Sequence, residues 1–201
     1  MIHPDTTLRW VDESVGFGVF ATKRIPKGTI TWTLDPLDRL FDDGQLPEPY
    51  RPLIEKYTYR TAAGQRLLAW DLCRYMNHSC EANTFSPGLD LEIAVRDVEP
   101  GEQLTSDYAA LNLEEGFACL CGATGCRRWV ADEQFERLAP TWDLAIRSAF
   151  TQVERVTQPL WDLVGQRNAV LASVRGLAPV PSILSTRYLG PSSGQRHRAV
   201  G

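Results

Sequence analysis

The stretches Arg74-Tyr-Met-Asn-His-Ser-Cys-Glu-Ala-Asn83 and Cys119-Leu-Cys-Gly-Ala-Thr-Gly-Cys126 carry most of the information in this sequence. A structural zinc ion is usually held in a tetrahedron of four cysteine or histidine ligands, and the second stretch supplies only three thiolates. Cys80, inside the first stretch, is the natural fourth ligand. The sequence therefore predicts one zinc site, shared by two distant segments, with the ligands Cys80, Cys119, Cys121 and Cys126.

Other uses of the cysteines are open. His78 could replace one thiolate, but this alternative ranks second because it would leave a cysteine of the local cluster idle. A disulfide framework is disfavoured because the chain has five cysteines, an odd number, and nothing at its start resembles a secretory signal. Cys73 is interpreted as a buried free thiol.

Further motifs occur in order along the chain. These are Gly16-Phe-Gly-Val-Phe-Ala-Thr22, followed by Ile25-Pro-Lys-Gly28, then the Arg74 stretch, then Gly101-Glu-Gln-Leu-Thr-Ser-Asp-Tyr108, and finally the cysteine loop. Together they resemble the SET-domain protein-lysine methyltransferases that carry a post-SET zinc-binding loop. The resemblance covers the chain from about Gly16 to Arg127.

The resemblance implies an α+β fold that is mostly β, with the short twisted sheets of a β-clip-like SET domain. It divides the chain into a SET domain at residues 5–118, with an insert at about 35–72, and a post-SET zinc loop at residues 119–130. After the zinc loop the apolar residues recur at steps of three and four, a spacing that predicts a helical C-terminal extension at residues 131–176. The non-periodic sequence at residues 177–201 predicts a flexible tail, in which His197 has no functional role.

The resemblance also implies S-adenosylmethionine as cofactor and gives roles to individual residues. Tyr108 is expected beside the transferred methyl group, where its phenol oxygen can accept weak C–H hydrogen bonds. Asp107 could act as a general base, but a structural role is preferred. The expected cofactor-binding residues, besides Tyr108, are Gly16, Phe17, Gly18, Arg74, Asn77, His78 and Leu120.

Two positions depart from the family pattern. Ser106 stands where related enzymes often place Phe or Tyr, and the smaller side chain leads to the hypothesis that higher methylation states or a larger acceptor are accommodated. Phe20 stands where a basic residue is frequent.

Composition limits the partners. The net charge of −4 disfavours a nucleic-acid surface, since phosphate binding needs clustered Lys and Arg. No apolar run approaches the roughly 20 residues of a membrane-spanning helix, and no leader-like segment begins the chain. We therefore expect a cytoplasmic protein that contacts neither membrane nor nucleic acid directly, and the resemblance implies a protein or peptide substrate that bears a lysine.

Periodicity predicts half-buried strands at residues 29–34 and 89–95, a short helix near Ile54 and another at residues 132–138. Tyr50, Tyr57 and Tyr59 could line a peptide groove, but at least two of them are expected to serve as core or cover. A further helix is expected to start at the N-cap Thr141. Its apolar seam, made of Trp142, Ile146, Ala149, Val153, Val156, Leu160 and Leu163, could pack on the body, which is preferred, or form a homodimer through residues 141–164.

Three classes of function fit these observations. The first is an active protein-lysine N-methyltransferase. The second is a SET-like module that binds a protein or peptide without turnover, since fold does not fix function. The third is a zinc-stabilised interaction protein that assembles through its helical extension.

Overall fold

The computed structural model describes residues 1–190 of the chain. The strands are β1 (Thr6–Asp12), β2 (Gly16–Ala21), β3 (Ile30–Thr33), β4 (Arg39–Phe41), β5 (Thr58–Arg60), β6 (Arg66–Leu68), β7 (Asn77–His78), β8 (Thr84–Phe85), β9 (Leu91–Ala94), β10 (Thr105–Ser106), β11 (Phe117–Ala118) and β12 (Trp129–Val130). The helices are α1 (Arg51–Tyr57), α2 (Phe135–Phe150) and α3 (Arg167–Val174), and short 3-10 helices connect several of these elements.

The strands form small separate sheets. One has five strands in the order β3-β9-β8-β10-β7, one has three in the order β4-β6-β5, and β1-β2 and β11-β12 are two-stranded. In the five-stranded sheet β10 runs parallel to both β7 and β8, whereas the pairs β3-β9 and β8-β9 are antiparallel. Short sheets combined with a few helices confirm the predicted α+β fold class.

The prediction that β3 and β9 are half-buried is wrong, because every residue of both strands is buried. Ile30, Leu91 and Ile93 face a hydrophobic cluster that contains the buried side of α2. Trp32 and Ala94 belong to a second cluster, shared with β2. The sheet is thus covered on both sides, and the polar positions of the alternating pattern are buried along with the apolar ones.

The insert between β3 and the Arg74 stretch holds more regular structure than its sequence suggests. The helix predicted near Ile54 is present as α1. The three-stranded sheet of β4, β6 and β5 was missed, because each strand has only three residues and gives no readable period.

The prediction of two helices separated near Thr141 is wrong. A 3-10 turn at Asp132–Gln134 leads directly into α2, and Thr141 lies inside that helix. Pro140 is also inside α2, where it cannot donate a backbone hydrogen bond but does not end the helix.

The apolar seam packs on the body, as preferred. Its buried members, Trp142, Ile146, Ala149, Val153 and Leu160, share one cluster with the central sheet. Regular helix stops at Phe150, and the seam continues only through short turns. Most of the side chains proposed for a homodimer are therefore already covered by the protein itself, whereas Val156 is half-buried and Leu163 is 45% exposed.

Residues 177–190 differ from the expected flexible tail. Ile183 is 1% exposed, and its N–H donates to Asp143 Oδ1 at 2.8 Å. The side chain of Asn112 donates to the carbonyl of Thr186 at 2.9 Å and accepts from the N–H of Tyr188 at 2.8 Å. A few anchoring contacts, which leave no periodic pattern, hold this segment; His197 lies outside the described residues.

Across residues 1–190, no helix combines the length and apolar character required to cross a lipid bilayer.

Candidate functional site

The structure brings the four predicted cysteine ligands together. The Sγ atom of Cys119 lies 3.8 Å from that of Cys80 and 3.7 Å from that of Cys126. The N–H of Cys80 points at Cys121 Sγ, at 3.5 Å. Cys80 follows β7, whereas the other three lie in the loop between β11 and β12, so the group joins two segments separated by about forty residues.

Backbone donors support negative charge on these sulfurs. The N–H of Arg127 donates to Cys80 Sγ at 3.4 Å, in addition to the Cys80 N–H directed at Cys121. The loop is also fastened to the first segment by the N–H of Gly125, which donates to Glu81 Oε1 at 2.8 Å. Four converging thiols with backbone N–H donors are a set of groups that suits zinc.

His78 lies at the edge of the cysteine group, with Nε2 3.3 Å from Cys80 Sγ. Its ligand atoms and those of Cys80, Cys119 and Cys121 all lie within 4.8 Å of one another. Burial lowers the pKa of His78 to about 4, so the ring is neutral at pH 7. Nδ1 accepts the backbone N–H of Tyr108 at 3.1 Å, which assigns the ring proton to Nε2 and directs it at Cys80 Sγ.

Cys73 is separate from this group. It packs against the second hydrophobic cluster, with its Sγ 3.8 Å from the sulfur of Met76. Burial raises the pKa of the Cys73 thiol well above its ordinary value, in keeping with its interpretation as a free buried thiol.

Tyr108 begins a 3-10 turn directly after β10. Its hydroxyl donates to the carbonyl oxygen of Met76 at 2.7 Å, which fixes the position of the phenol oxygen. Burial raises the pKa of Tyr108 to about 12, so the phenol is neutral at physiological pH. Both lone pairs of the oxygen remain free to accept weak hydrogen bonds.

Asp107 occupies a structural position. Its side chain is fully buried and accepts two hydrogen bonds from the guanidinium of Arg127, at 2.7 and 2.8 Å. Asp107 Oδ1 also caps the following turn by accepting the N–H of Ala109 at 3.1 Å. These bonds favour the structural alternative for Asp107 and tie the Tyr108 segment to the cysteine loop.

On the side predicted for the cofactor, Asn77 connects β7 to β2. Its Nδ2 donates to the carbonyl of Phe17 at 3.0 Å and to Gln103 Oε1 at 2.6 Å. A Cβ added at Gly18 would lie 2.4 Å from Gln103 Oε1, so a larger residue would displace this side chain from Asn77. Gln103 was missed by the sequence analysis, although it lies in the Gly101-to-Tyr108 motif.

Gly16, next to that contact, has a φ of +81° and no atom within 4 Å of the position that a Cβ would take. The backbone there is accessible to a bound group. Phe17 packs edge-on against Trp10 and Tyr75, with ring centroids 5.3 and 6.2 Å away, and remains 44% exposed.

The Arg74 guanidinium lies over the ring of Tyr75 at 5.4 Å and donates from Nη2 to the carbonyl of Trp70 at 3.0 Å. Its Nε is buried and has no hydrogen-bond partner among the described residues. An arginine with an unused buried donor suits an anionic group such as the carboxylate of S-adenosylmethionine. The last predicted cofactor residue, Leu120, is 86% exposed beside the cysteines.

A cavity of about 430 Å³ extends from α1 and β5 of the insert to Tyr108. Its lining includes Tyr57, Tyr59, Met76, Glu92, Ser106 and Tyr108. Tyr57 and Tyr59 therefore face a cavity, whereas at least two of Tyr50, Tyr57 and Tyr59 were expected to serve as core or cover. Tyr59 also packs against the second hydrophobic cluster. Tyr50 instead lines a neighbouring groove.

Comparison with known proteins finds matches for the part of the chain that carries the motifs. Residues 16–109, just under half of the chain, match the family model described as SET domain. The histone-lysine N-methyltransferase Set2 of Drosophila melanogaster is 34% identical over 138 residues, which are 60% of this chain and 6% of that protein. The histone-lysine N-methyltransferase ATX2 of Arabidopsis thaliana is 36% identical over 72 residues, 32% of this chain and 7% of that protein.

Among solved structures, the crystal structure of KRYPTONITE in complex with mCHG DNA and SAH is similar to 60% of this chain and 28% of its own, with a TM-score of 0.44 and 22% identity. The part of this chain that matches the curated relatives ATX2 and Set2 spans less than a tenth of the length of either protein.

Proposed function

We propose that this protein transfers a methyl group from S-adenosylmethionine to the lysine side chain of a protein. One observation carries the proposal: in the segment that matches the SET domain, Tyr108 lines the cavity that extends from the insert, and its hydroxyl is fixed on the carbonyl of Met76, the residue that precedes β7. The naming of the curated relatives as histone-lysine N-methyltransferases supports the same reaction class.

S-adenosylmethionine would supply a methyl group on a positively charged sulfur. Gly16, Phe17, Gly18, Arg74, Asn77, His78 and Leu120 are the residues proposed to hold it. The neutral phenol of Tyr108 has its own hydrogen committed to Met76, so its lone pairs can accept C–H hydrogen bonds and orient the methyl group. Alignment and exclusion of water are the main contributions of the protein to such an in-line displacement.

The acceptor amine must be neutral to attack. Moving an ammonium group from water into the cavity lowers its pKa, because burial disfavours the charged form and a nearby sulfonium repels it. Loss of this proton requires no contribution from Asp107, whose carboxylate is committed to Arg127.

We also propose that Cys80, Cys119, Cys121 and Cys126 bind a structural zinc ion. The support is the convergence of the four sulfurs and the hydrogen bond from His78 Nε2–H to Cys80 Sγ. A histidine that donates to a ligand sulfur acts as a hydrogen-bonding neighbour of the metal site and does not itself bind the ion. The zinc would hold the loop that carries Leu120 against the strand that carries Asn77.

The test is methylation of whole-cell lysate proteins with a radiolabelled methyl donor, comparing wild type with Tyr108→Phe. Tyr188→Phe is the matched control, because Tyr188 lies under Arg60 and does not line the cavity. We expect Tyr108→Phe to lose labelling by roughly a hundredfold, the order that removal of one positioned hydrogen-bonding group costs. Equal labelling by all three proteins would contradict the role of Tyr108.

Calorimetric titration with S-adenosylmethionine separates the enzyme from a binding module. Binding of the cofactor by a protein that labels nothing would favour the module. The third class, assembly through the helical extension, receives less support, because the apolar seam of α2 is buried in the core. The cytoplasmic location and the absence of nucleic-acid contact stay predictions.

A further inference from the structure

Glu92 is a charged residue in the middle of the buried strand β9. Glu92 is only 9% exposed, and it contributes to the wall of the cavity that Tyr108 lines. One carboxylate oxygen accepts the hydroxyl of Thr84 at 2.9 Å, and both lie 3.4 Å from the hydroxyl of Ser106. Both hydroxyls are themselves buried.

The hydroxyls orient the carboxylate but do not balance its charge. Among residues 1–190, no Lys, Arg or His forms an ion pair with Glu92. Four basic residues line the cavity: Arg60 and Arg66 are each paired with Asp43 and Glu114, and neither Lys56 nor Arg74 forms an ion pair with Glu92. Burying an unpaired carboxylate is unfavourable, so the position favours a cationic partner that arrives from outside.

The carboxylate lies close to the wall of the cavity. Burial is the largest cause of the raised pKa values of Tyr59 and Cys73, and the negative charge of Glu92 raises both further. Both residues line the cavity. Ser106, whose hydroxyl contacts Glu92, lines the cavity as well, two residues before Tyr108. A small side chain at position 106 thus leaves the carboxylate accessible from the space that Tyr108 faces.

We propose that Glu92, oriented by Thr84 and Ser106, binds the ammonium group of the substrate at the inner end of the Tyr108 cavity. This inference rests on the proposed methyltransferase function and names the group that recognises its substrate. An apolar channel would favour an uncharged side chain over an ammonium group, which must lose its water; a buried carboxylate reverses that preference.

Binding by Glu92 does not lock the amine in its charged form. Burial raises the pKa of the Glu92 carboxyl, so one proton can move from the ammonium to the carboxylate and leave a neutral amine beside a neutral acid. The amine must keep an N–H to donate to Glu92. The neutral dimethylated amine, which is the acceptor for a third methyl group, has no N–H to donate, so we expect transfer of a third methyl group to be disfavoured.

The test uses a probe that does not depend on the identity of the substrate. Binding of n-butylammonium, which mimics the end of a lysine, is compared with that of neutral 1-butanol by ligand-observed NMR, on the full chain with saturating S-adenosylhomocysteine. Wild type is compared with Glu92→Gln, which keeps the shape and the hydroxyl contacts. The matched control is Glu99→Gln, because Glu99 is a surface residue whose side chain is 62% exposed.

We expect wild type and Glu99→Gln to prefer butylammonium by about tenfold, the order of one charge-assisted hydrogen bond. Glu92→Gln should bind the two probes about equally. Ser106→Phe, which fills the space in front of the carboxylate, should lose the preference too and serves if Glu92→Gln fails to fold. Absence of any preference in wild type, or the same preference in Glu92→Gln, would overturn the proposal.

The lysate assay distinguishes this failure from failure of the proposed function. Protein methylation by a wild type that shows no preference for butylammonium would refute the role of Glu92 and leave the methyltransferase intact. Loss of the preference in Glu92→Gln without protein methylation by wild type would support the cation site and refute the enzyme.

Discussion

Replacing Arg127 by Met tests the link between the cysteine loop and the segment that carries Tyr108. The methionine keeps an apolar stem and the backbone N–H that donates to Cys80, but it removes both hydrogen bonds to Asp107. The Asp107 carboxylate is fully buried and would keep only the N–H of Ala109 as a donor. A buried charge left without its partner typically costs 3–5 kcal/mol.

Arg127 itself is 16% exposed, so solvent can partly replace it, and we expect a loss of about 3 kcal/mol, the lower end of that range. For a chain of this length the loss corresponds to a melting temperature lower by about 6–12 °C. Urea unfolding followed by circular dichroism gives the free energy, and zinc content measured on the same samples shows whether the metal is retained.

The matched control is Arg24→Met, which breaks the surface pair with Asp97, where both side chains are about half exposed. Such pairs contribute roughly 0–1 kcal/mol. Adding Asp107→Asn to Arg127→Met should restore part of the lost stability, since the unpaired charge disappears. A destabilisation by Arg127→Met no larger than that by Arg24→Met, with zinc retained, would refute the reasoning.

The remaining predictions concern the metal, the product and the pH dependence of stability. Cys80→Ser should lower the zinc content of purified protein far below one ion per chain, whereas Cys73→Ser should leave it unchanged; equal metal in both, by elemental analysis, would contradict the ligand set. Mass spectrometry of the methylated substrate should show mono- and dimethyl-lysine with wild type and additional trimethyl-lysine with Glu92→Gln, and trimethylation by wild type would argue against the role of Glu92. Burial lowers the pKa of His3 below its usual 6.5, so the unfolded chain binds the proton first and stability should fall as the pH drops below about 6.5. His3→Asn should make that part of the stability profile less steep in urea unfolding, although His78, whose pKa is also lowered, keeps part of the slope; an unchanged slope would show that His3 makes no such contribution.

The proximity of Cys80 to the distant cysteine loop could be predicted because a structural zinc ion takes four ligands and the loop supplies only three thiolates. The roles of Arg127 and Glu92 could not, since each depends on a partner that the sequence does not place beside it. The sequence holds one indication that Glu92 is unusual: its carboxylate stands between Leu91 and Ile93 in an otherwise apolar strand. A charge at such a position indicates either an exposed face or a buried site with polar partners, and only the structure distinguishes the two.

The extent of burial was misjudged for a related reason. Alternation of Thr with apolar residues in β3 is typical of a sheet with one solvated face. Here a second hydrophobic cluster covers that face, and the hydroxyls of Thr29 and Thr31 are buried without a hydrogen-bond partner among the described residues. The local pattern indicates the polarity of a face, but whether that face is covered depends on elements elsewhere in the chain, in this case β2 and other members of the second cluster such as Ile2 and Leu104.

His78 shows why the metal and the chemistry are expected to fail together. Its Nδ1 accepts the N–H of Tyr108, its Nε2 lies against Cys80 Sγ, and its ring packs edge-on against Phe117, 5.6 Å away. Asp107 and Arg127 form a second connection between the same two segments. Because both connections end at residues next to a sulfur ligand, releasing the ion would loosen the support of Tyr108, although the hydrogen bond of the phenol itself goes to Met76. Zinc removal should therefore reduce methyl transfer by more than it reduces cofactor binding, and equal losses of both would place the metal at the cofactor pocket alone.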